Sequence, residues 1–180
     1  TFIEDFIRDE VLPRYANTHT EASGTGLQTS RLREDARRII RDVVGGDDST
    51  AVIFVGSGST AAIDRMVGIL GLRVPPDLDD RHHLTAGLAA DERPVVLVGP
   101  YEHHSNELPW RESIAEVVTI PEDAAGHIDL AALEQALIRY AERPLRIGSF
   151  SAASNVTGIL TDTDAVSTLL HRHGALAFWD

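Results

Sequence analysis

The sequence predicts an α/β fold with a mostly parallel sheet, and three observations carry that expectation. Short runs of β-branched and aromatic residues recur along the chain, segments of helical period separate them, and clusters of Gly, Pro, Asn and Asp stand between the two. Alternation of this kind builds parallel strands joined by crossover helices that cover the faces of one sheet.

Phe2 to Leu12 is apolar at helical spacing and meets Pro13, which predicts a short helix closing there. Residues 14–28 read as a loop, because Asn17, Thr18, His19, Thr20, Ser23, Gly24, Thr25 and Gly26 are turn formers. Leu32, Ala36, Ile39, Ile40, Val43 and Val44 then recur at helical spacing behind a Thr29 or Ser30 cap, and Gly45-Gly46 ends the pattern. Val52 to Val55 has the composition of a buried parallel strand, followed by the turn Gly56-Ser-Gly-Ser-Thr60 and a helix that Gly71 can close. Residues 72–93 form a Pro/Asp/His-rich connector over the surface. Further strands are expected at Pro94–Gly99, Ala115–Ile120, Pro144–Phe150 and Ala175–Trp179. Helices follow behind Asp129, over Leu130 to Ala141, and behind Asp162 or Asp164, ending at Gly174.

Composition narrows the function classes. At 180 residues the chain can form one domain, and a chain of this size buries roughly 70% of its unfolded surface. Its net charge of −12 argues against a nucleic-acid backbone or an anionic membrane as a general partner. Cysteine is absent, which removes disulfides and thiolate metal sites and favours an intracellular, cytoplasmic protein. No apolar run approaches the ~20 residues of a membrane span. All 16 basic residues are arginine, and no lysine occurs. The chain lacks an initiator Met and stops at Trp179-Asp180 directly after an apolar run, so it is expected to be a piece of a longer protein.

Ligands of open parallel sheets gather at the carboxyl ends of the strands. Those ends are Gly56–Thr60, Tyr101-Glu-His-His-Ser-Asn106, Ser151-Ala-Ala-Ser-Asn-Val-Thr-Gly158 and Asp180, together an anion cup, an imidazole, an amide and a carboxylate. In the cup, unpaired N–H groups at a helix start attract an anion, and Ser57, Ser59 and Thr60 add hydroxyls. Two rival readings exist. Gly56-x-Gly58-x-x-Ala61 also fits a dinucleotide fingerprint, which requires an acid at a strand end about twenty residues on; Asp79 and Asp80 stand there in a loop pattern. Glu102, His103, His104, His82-His83 and His171-x-His173 suggest a metal, but neighbouring histidines on a strand face opposite ways and no H-E-x-x-H spacing occurs. His171 and His173 suit a helix C-terminus, and Trp110 and Trp179 suit the core.

The segments Phe54-Val-Gly-Ser-Gly-Ser-Thr-Ala-Ala-Ile63, Tyr101-Glu-His-His-Ser-Asn-Glu-Leu-Pro-Trp110, Gly126-His-Ile-Asp-Leu-Ala-Ala-Leu-Glu-Gln-Ala-Leu137, Ser154-Asn-Val-Thr-Gly158 and Phe178-Trp-Asp180 resemble, in order, the pyridoxal-phosphate enzymes of fold type I, class V aminotransferase branch, which includes cysteine desulfurases and selenocysteine lyases. The resemblance implies a truncated three-layer α/β/α large domain of the aspartate aminotransferase-like fold. Residues 1–28 become an N-terminal helix and active-site loop segment, where Thr18 and His19 can reach the site, and residues 29–180 a partial cofactor-binding large domain. Carried over by position, Gly58, Ser59 and Thr60 look like the cofactor-phosphate loop and His103 like the imidazole that stacks on the pyridine ring. Asn155 looks like the amide that meets the ring hydroxyl, and Asp180 like the carboxylate that pairs with the pyridine nitrogen. His103 and Asp180 take the catalytic roles, and no residue is assigned to a metal. An ionised carboxylate there keeps the pyridinium protonated and able to withdraw electrons.

The chain departs from the family pattern in two ways. Ala61 stands where many members carry an acid, and the Schiff-base lysine of the family lies beyond the position matching Asp180. The expected function is therefore the N-terminal part of an amino-acid aminotransferase, cysteine desulfurase or selenocysteine lyase, inactive by itself and homodimeric when whole. The alternative is a noncatalytic α/β binding module or an NAD(P)-type dinucleotide-binding domain.

Overall fold

The computed structural model of the chain describes residues 1–20 and 22–180. They divide into two compact units, Thr1–Phe54 and Val55–Asp180.

In the first unit, α1 (Phe2–Phe6) starts from a reciprocal cap in which the Thr1 hydroxyl accepts from the Glu4 N–H. Helical geometry continues as a π turn over Ile7–Val11 and a 3₁₀ turn over Leu12–Arg14. Pro13 does not stop it, because the first turn of a helical segment needs no N–H there. The long helix α2 (Gly24–Val43) begins well before the anticipated Thr29 or Ser30 cap: Ser23 Oγ accepts from the Gly26 N–H at 3.1 Å. Thr29 lies inside the helix, donating to the Thr25 carbonyl at 3.0 Å and accepting from the Ala16 N–H at 3.2 Å. The helix ends at the glycine pair, as its period predicts.

The strand expected at Val52–Val55 does not form. Its backbone pairs with no other strand among the described residues, and Ile53 and Phe54 remain 59% and 47% exposed. Apolar composition favours a strand only where a neighbour supplies the hydrogen-bonding ladder.

In the second unit, β1 (Val95–Val98), β2 (Glu116–Thr119), β3 (Arg146–Phe150) and β4 (Leu176–Trp179) form one parallel sheet in the order β2-β1-β3-β4. Strand β1 pairs Val95 with Glu116 on one side and with Arg146 on the other, and β3 pairs Ile147 with Leu176. Alternation along β1 sends side chains to both faces. Val95 and Leu97 join Leu133, Leu137, Val166, Leu169 and Leu170 of α6 (Leu130–Arg139) and α7 (Thr163–Arg172). Val96 and Val98 join Val67 of α3 (Gly58–Ile69) and Trp110 of α5 (His104–Arg111). Helices thus cover both faces of a continuous apolar sheet, an α/β/α arrangement. Close approach is required on the first face: a Cβ on Gly148 would stand 2.5 Å from Leu170 Cδ1.

Asp129 and Asp162 cap α6 and α7 as their positions predict, Asp129 accepting from the Ala131 and Ala132 N–H groups and Asp162 from the Ala165 N–H. Two elements were not legible. The connector 72–93 contains the short helix α4 (Pro76–His82), and the stretch after β1 turns at once into α5, with Pro109 inside it. His103 and His104 are therefore a helix cap and a first helical residue, not strand neighbours. Among the described residues no helix is long and apolar enough to cross a membrane.

Candidate active site

Three parallel strands deliver the site. After β1 the chain runs to His103, whose extended backbone caps α5 while its Nδ1 accepts from the Ser105 N–H at 3.2 Å. A nitrogen that accepts carries no proton, so in the neutral ring the proton sits on Nε2. After β3, Ser154 organises a tight turn by accepting from the N–H groups of Val156 at 3.3 Å and Thr157 at 3.2 Å, which leaves Asn155 exposed at its head. After β4, Asp180 extends the ladder: its N–H donates to the Phe150 carbonyl and its carbonyl accepts from Ala152, both at 3.0 Å. That backbone anchorage sets where the carboxylate emerges.

The fourth segment is the start of α3. Ser57 and Gly58 occupy the left-handed region at φ 64° and 71°, and no side chain caps the helix. Nothing lies within 4 Å of where Cβ atoms on Gly56 or Gly58 would stand, so the turn is open on that side. First-turn N–H groups without a cap, at the positive end of the helix dipole, suit an anion.

Ser105 joins these segments. It is 4% exposed, and its Oγ lies 2.8 Å from His103 Nδ1, 3.2 Å from Asp180 Oδ2 and 3.4 Å from Ser59 Oγ. Ser59, His103, Ser105, Ser151, Ala153, Asn155 and Asp180 line one hollow of about 270 Å³. Four of the six residues singled out in the sequence therefore meet there. Gly58 and Thr60 flank Ser59 on its turn without lining the hollow. Ser105 and Ser151 were not assigned roles from sequence; Ser105 is detectable only once His103 is recognised as a helix cap, which places the residue two positions on beneath the imidazole. A larger hollow of about 740 Å³ lies along α6 and α7 and is lined by helix surface such as Glu134, Asp164 and Arg172.

The dinucleotide reading loses its footing here. Asp79, the acid a dinucleotide reading needs at a strand end, lies in α4, where it accepts from the Thr85 N–H at 2.7 Å. These hydrogen bonds from Thr85, side chain and backbone, hold its carboxyl below the usual range. Among the described residues no group of three or more His, Asp and Glu side chains stands where it could hold a metal ion.

Comparisons with known proteins find relatives along almost the whole chain. A probable cysteine desulfurase of Halalkalibacterium halodurans is 27% identical over 177 residues, covering 96% of this chain and 39% of the relative. One of Vibrio cholerae is 29% identical over 169 residues, covering 92% and 37%. The chain thus spans less than half the length of the curated relatives it matches. Among solved structures, the apo cysteine desulfurase of Thermococcus onnurineus superposes with a TM-score of 0.73 at 18% identity, over 99% of this chain and 40% of that one. The cysteine desulfurase CsdA of Escherichia coli superposes at 0.63 and 21% identity, over 98% and 39%. At such identities the superpositions establish a shared fold. Residues 5–180 match the family described as aminotransferase class-V, and this chain belongs to that family.

Proposed function

We propose that the hollow at the strand ends binds pyridoxal phosphate, and that the whole protein acts on the α-carbon of an amino acid, with cysteine desulfuration as its reaction. One observation carries the reading: Ser59, His103, Asn155 and Asp180, from four separate segments, line a single cavity at the carboxyl ends of parallel strands. The donor set fits the group. A phosphate calls for N–H and hydroxyl donors, which the uncapped start of α3 and Ser59 present. A pyridinium nitrogen calls for a carboxylate, and Asp180 is held in place by two backbone hydrogen bonds. The exposed imidazole of His103 offers a face for stacking, and the Asn155 amide a partner for a ring hydroxyl.

When bound, pyridoxal phosphate supplies an electron-withdrawing ring that weakens a bond at the substrate α-carbon. The chain's residues prepare that chemistry. Asp180 holds a proton at the ring nitrogen, Ser105 joins Asp180 through its hydroxyl and His103 through its backbone N–H, and the exposed His103 keeps an Nε2–H available to move a proton. Ser59 and its flanking residues Gly58 and Thr60 anchor the anion.

The 180 residues contain no lysine, so the amine that holds the cofactor covalently in this family is assigned to the remainder of the polypeptide, and these residues alone do not turn over substrate. By family, the whole protein is a cytoplasmic homodimer. The test is borohydride reduction of the full-length protein with pyridoxal phosphate, followed by peptide mass spectrometry and by assay of alanine formed from L-cysteine. The expected result is a modified lysine outside these residues together with alanine release. Absence of a modified lysine, or stabilisation by NAD and not by pyridoxal phosphate, would overturn the reading in favour of a binding module.

A further inference from the structure

Behind the cavity wall lies a carboxylate that the reaction just described does not use. Glu102 immediately precedes His103, and four donors converge on its two oxygens. Oε1 accepts from the Gly99 N–H at 3.1 Å and from the Ser151 N–H at 3.0 Å. Oε2 accepts from Asn106 Nδ2 at 2.6 Å and from Ser151 Oγ at 2.7 Å. The donors come from three places: the end of β1, the first turn of α5 and the first residue beyond β3. The orientation of the Asn106 amide is determined independently, since its Oδ1 receives the Ser149 hydroxyl at 2.6 Å and lies 3.4 Å from Trp110 Nε1, a group that only donates. Asn106 is 1% exposed, so the amide has no water to turn toward. Gly99 fits the arrangement too: a Cβ there would stand 2.5 Å from Glu102 Oε1, closing off the position the carboxylate occupies.

The geometry points to Glu102 as a positioning residue: its carboxylate clamps the loop carrying His103 to the loop carrying Asn155 and so sets the spacing of imidazole and amide across the cavity. The inference rests on the pyridoxal phosphate reading of that cavity. A surface glutamate would spend its oxygens on water. This one accepts from two loops that share no strand pairing with each other beyond β1 and β3, and Ser151 in turn both donates to it and lines the cavity. Each loop has local support, but the Glu102 carboxylate joins them directly.

The test uses the full-length protein and three variants. Glu102→Gln keeps the shape but sets an NH₂ against the Asn106 NH₂. The double variant Glu102→Gln with Asn106→Asp restores donor-to-acceptor pairing with the charge moved to the helix, and the Ser151 hydroxyl can rotate to accept. Ser151→Ala removes one of the four donors and serves as the milder probe should Glu102→Gln fail to fold. Two quantities are read: pyridoxal phosphate affinity by absorbance titration, and the imidazole ¹⁵N–¹H signals of His103 in the cofactor-free protein.

For Glu102→Gln the expectation is about a tenfold loss of affinity, the scale of one hydrogen bond to a charged group, together with a shift of the His103 signals. The double variant returns both toward the parent, and Ser151→Ala moves both in the same direction by a smaller amount. Unchanged His103 signals in Glu102→Gln, or no recovery in the double variant, would overturn the clamp. If the parent protein fails to take up pyridoxal phosphate, the functional reading falls while the His103 signals still decide the clamp.

Discussion

Replacing Ser105 by Ala removes the hydroxyl that donates to the Asp180 carboxylate and keeps the backbone N–H that holds the imidazole, and the structure sets the size of the effect. Ser105 Oγ lies 2.8 Å from His103 Nδ1 and 3.2 Å from Asp180 Oδ2. A hydroxyl has one proton, and Nδ1 already receives the Ser105 backbone N–H, which the substitution leaves in place. The proton therefore goes to Asp180, and the alanine variant loses that hydrogen bond while the imidazole keeps its tautomer. A hydrogen bond to a charged group contributes about 1.5–3 kcal/mol. Asp180 is only half-buried, so water replaces part of what is lost and the lower bound applies. About 1.5 kcal/mol corresponds to roughly a tenfold weaker binding of pyridoxal phosphate. The fold should barely respond, because the alanine leaves no donor unpaired in the buried position. The assay is an absorbance titration of the full-length parent and variant, with thermal melts in parallel. A variant that melts like the parent and binds pyridoxal phosphate within about twofold of it would refute the assignment of the Ser105 hydroxyl as the support of Asp180.

Gly58→Ala forces a side chain into φ 71° with open space around it, costing about 1 kcal/mol of stability by denaturant titration; Gly56→Ala, with equal space and no positive φ, serves as its control and should differ from the parent by much less. Trp110→Phe keeps an aromatic ring near Phe178 but removes the donor that reaches Ser149 Oγ at 3.1 Å in a buried site, and urea unfolding should show a loss of about 1–3 kcal/mol. Asp129→Ala deletes the acceptor of the Ala131 and Ala132 N–H groups, and the cap of α6 should be worth about 1 kcal/mol in the same assay. Tyr140 ionises above its ordinary value because burial disfavours the phenolate and the hydrogen bond to Glu116 reinforces that. A raised folded value means the stability it contributes is complete below the unfolded value of about 10 and is lost as pH rises through the folded one; the difference in alkaline absorbance titration between the parent and Tyr140→Phe measures it directly.

Much of the architecture was legible along the chain because it is local. Val95–Val98 and Arg146–Phe150 are apolar enough for strands buried on both faces, and Asp129 and Asp162 announce the helices they cap. What failed was of a different kind. Val52–Val55 has strand composition, yet a strand is a property of a pair, and none of the described residues supplies the second member. Helix α5 went unread although it carries only one helix-disfavouring residue, Pro109 at its sixth position, and its third and seventh positions, Asn106 and Trp110, are buried.

Sequence by itself determined the class of fold and the succession of the four sheet strands and most of the helices, because strand-forming runs and helix caps depend on neighbours within a few positions, and the family resemblance singled out Ser59, His103, Asn155 and Asp180 as candidates. Only the tertiary structure decided that these four share a cavity, that Ser105 ties two of them together and that Glu102 fastens the loops behind them. Those contacts join residues separated by 75 and 49 positions, and a hydrogen bond between distant residues exists only where the sheet has already brought its strand ends side by side.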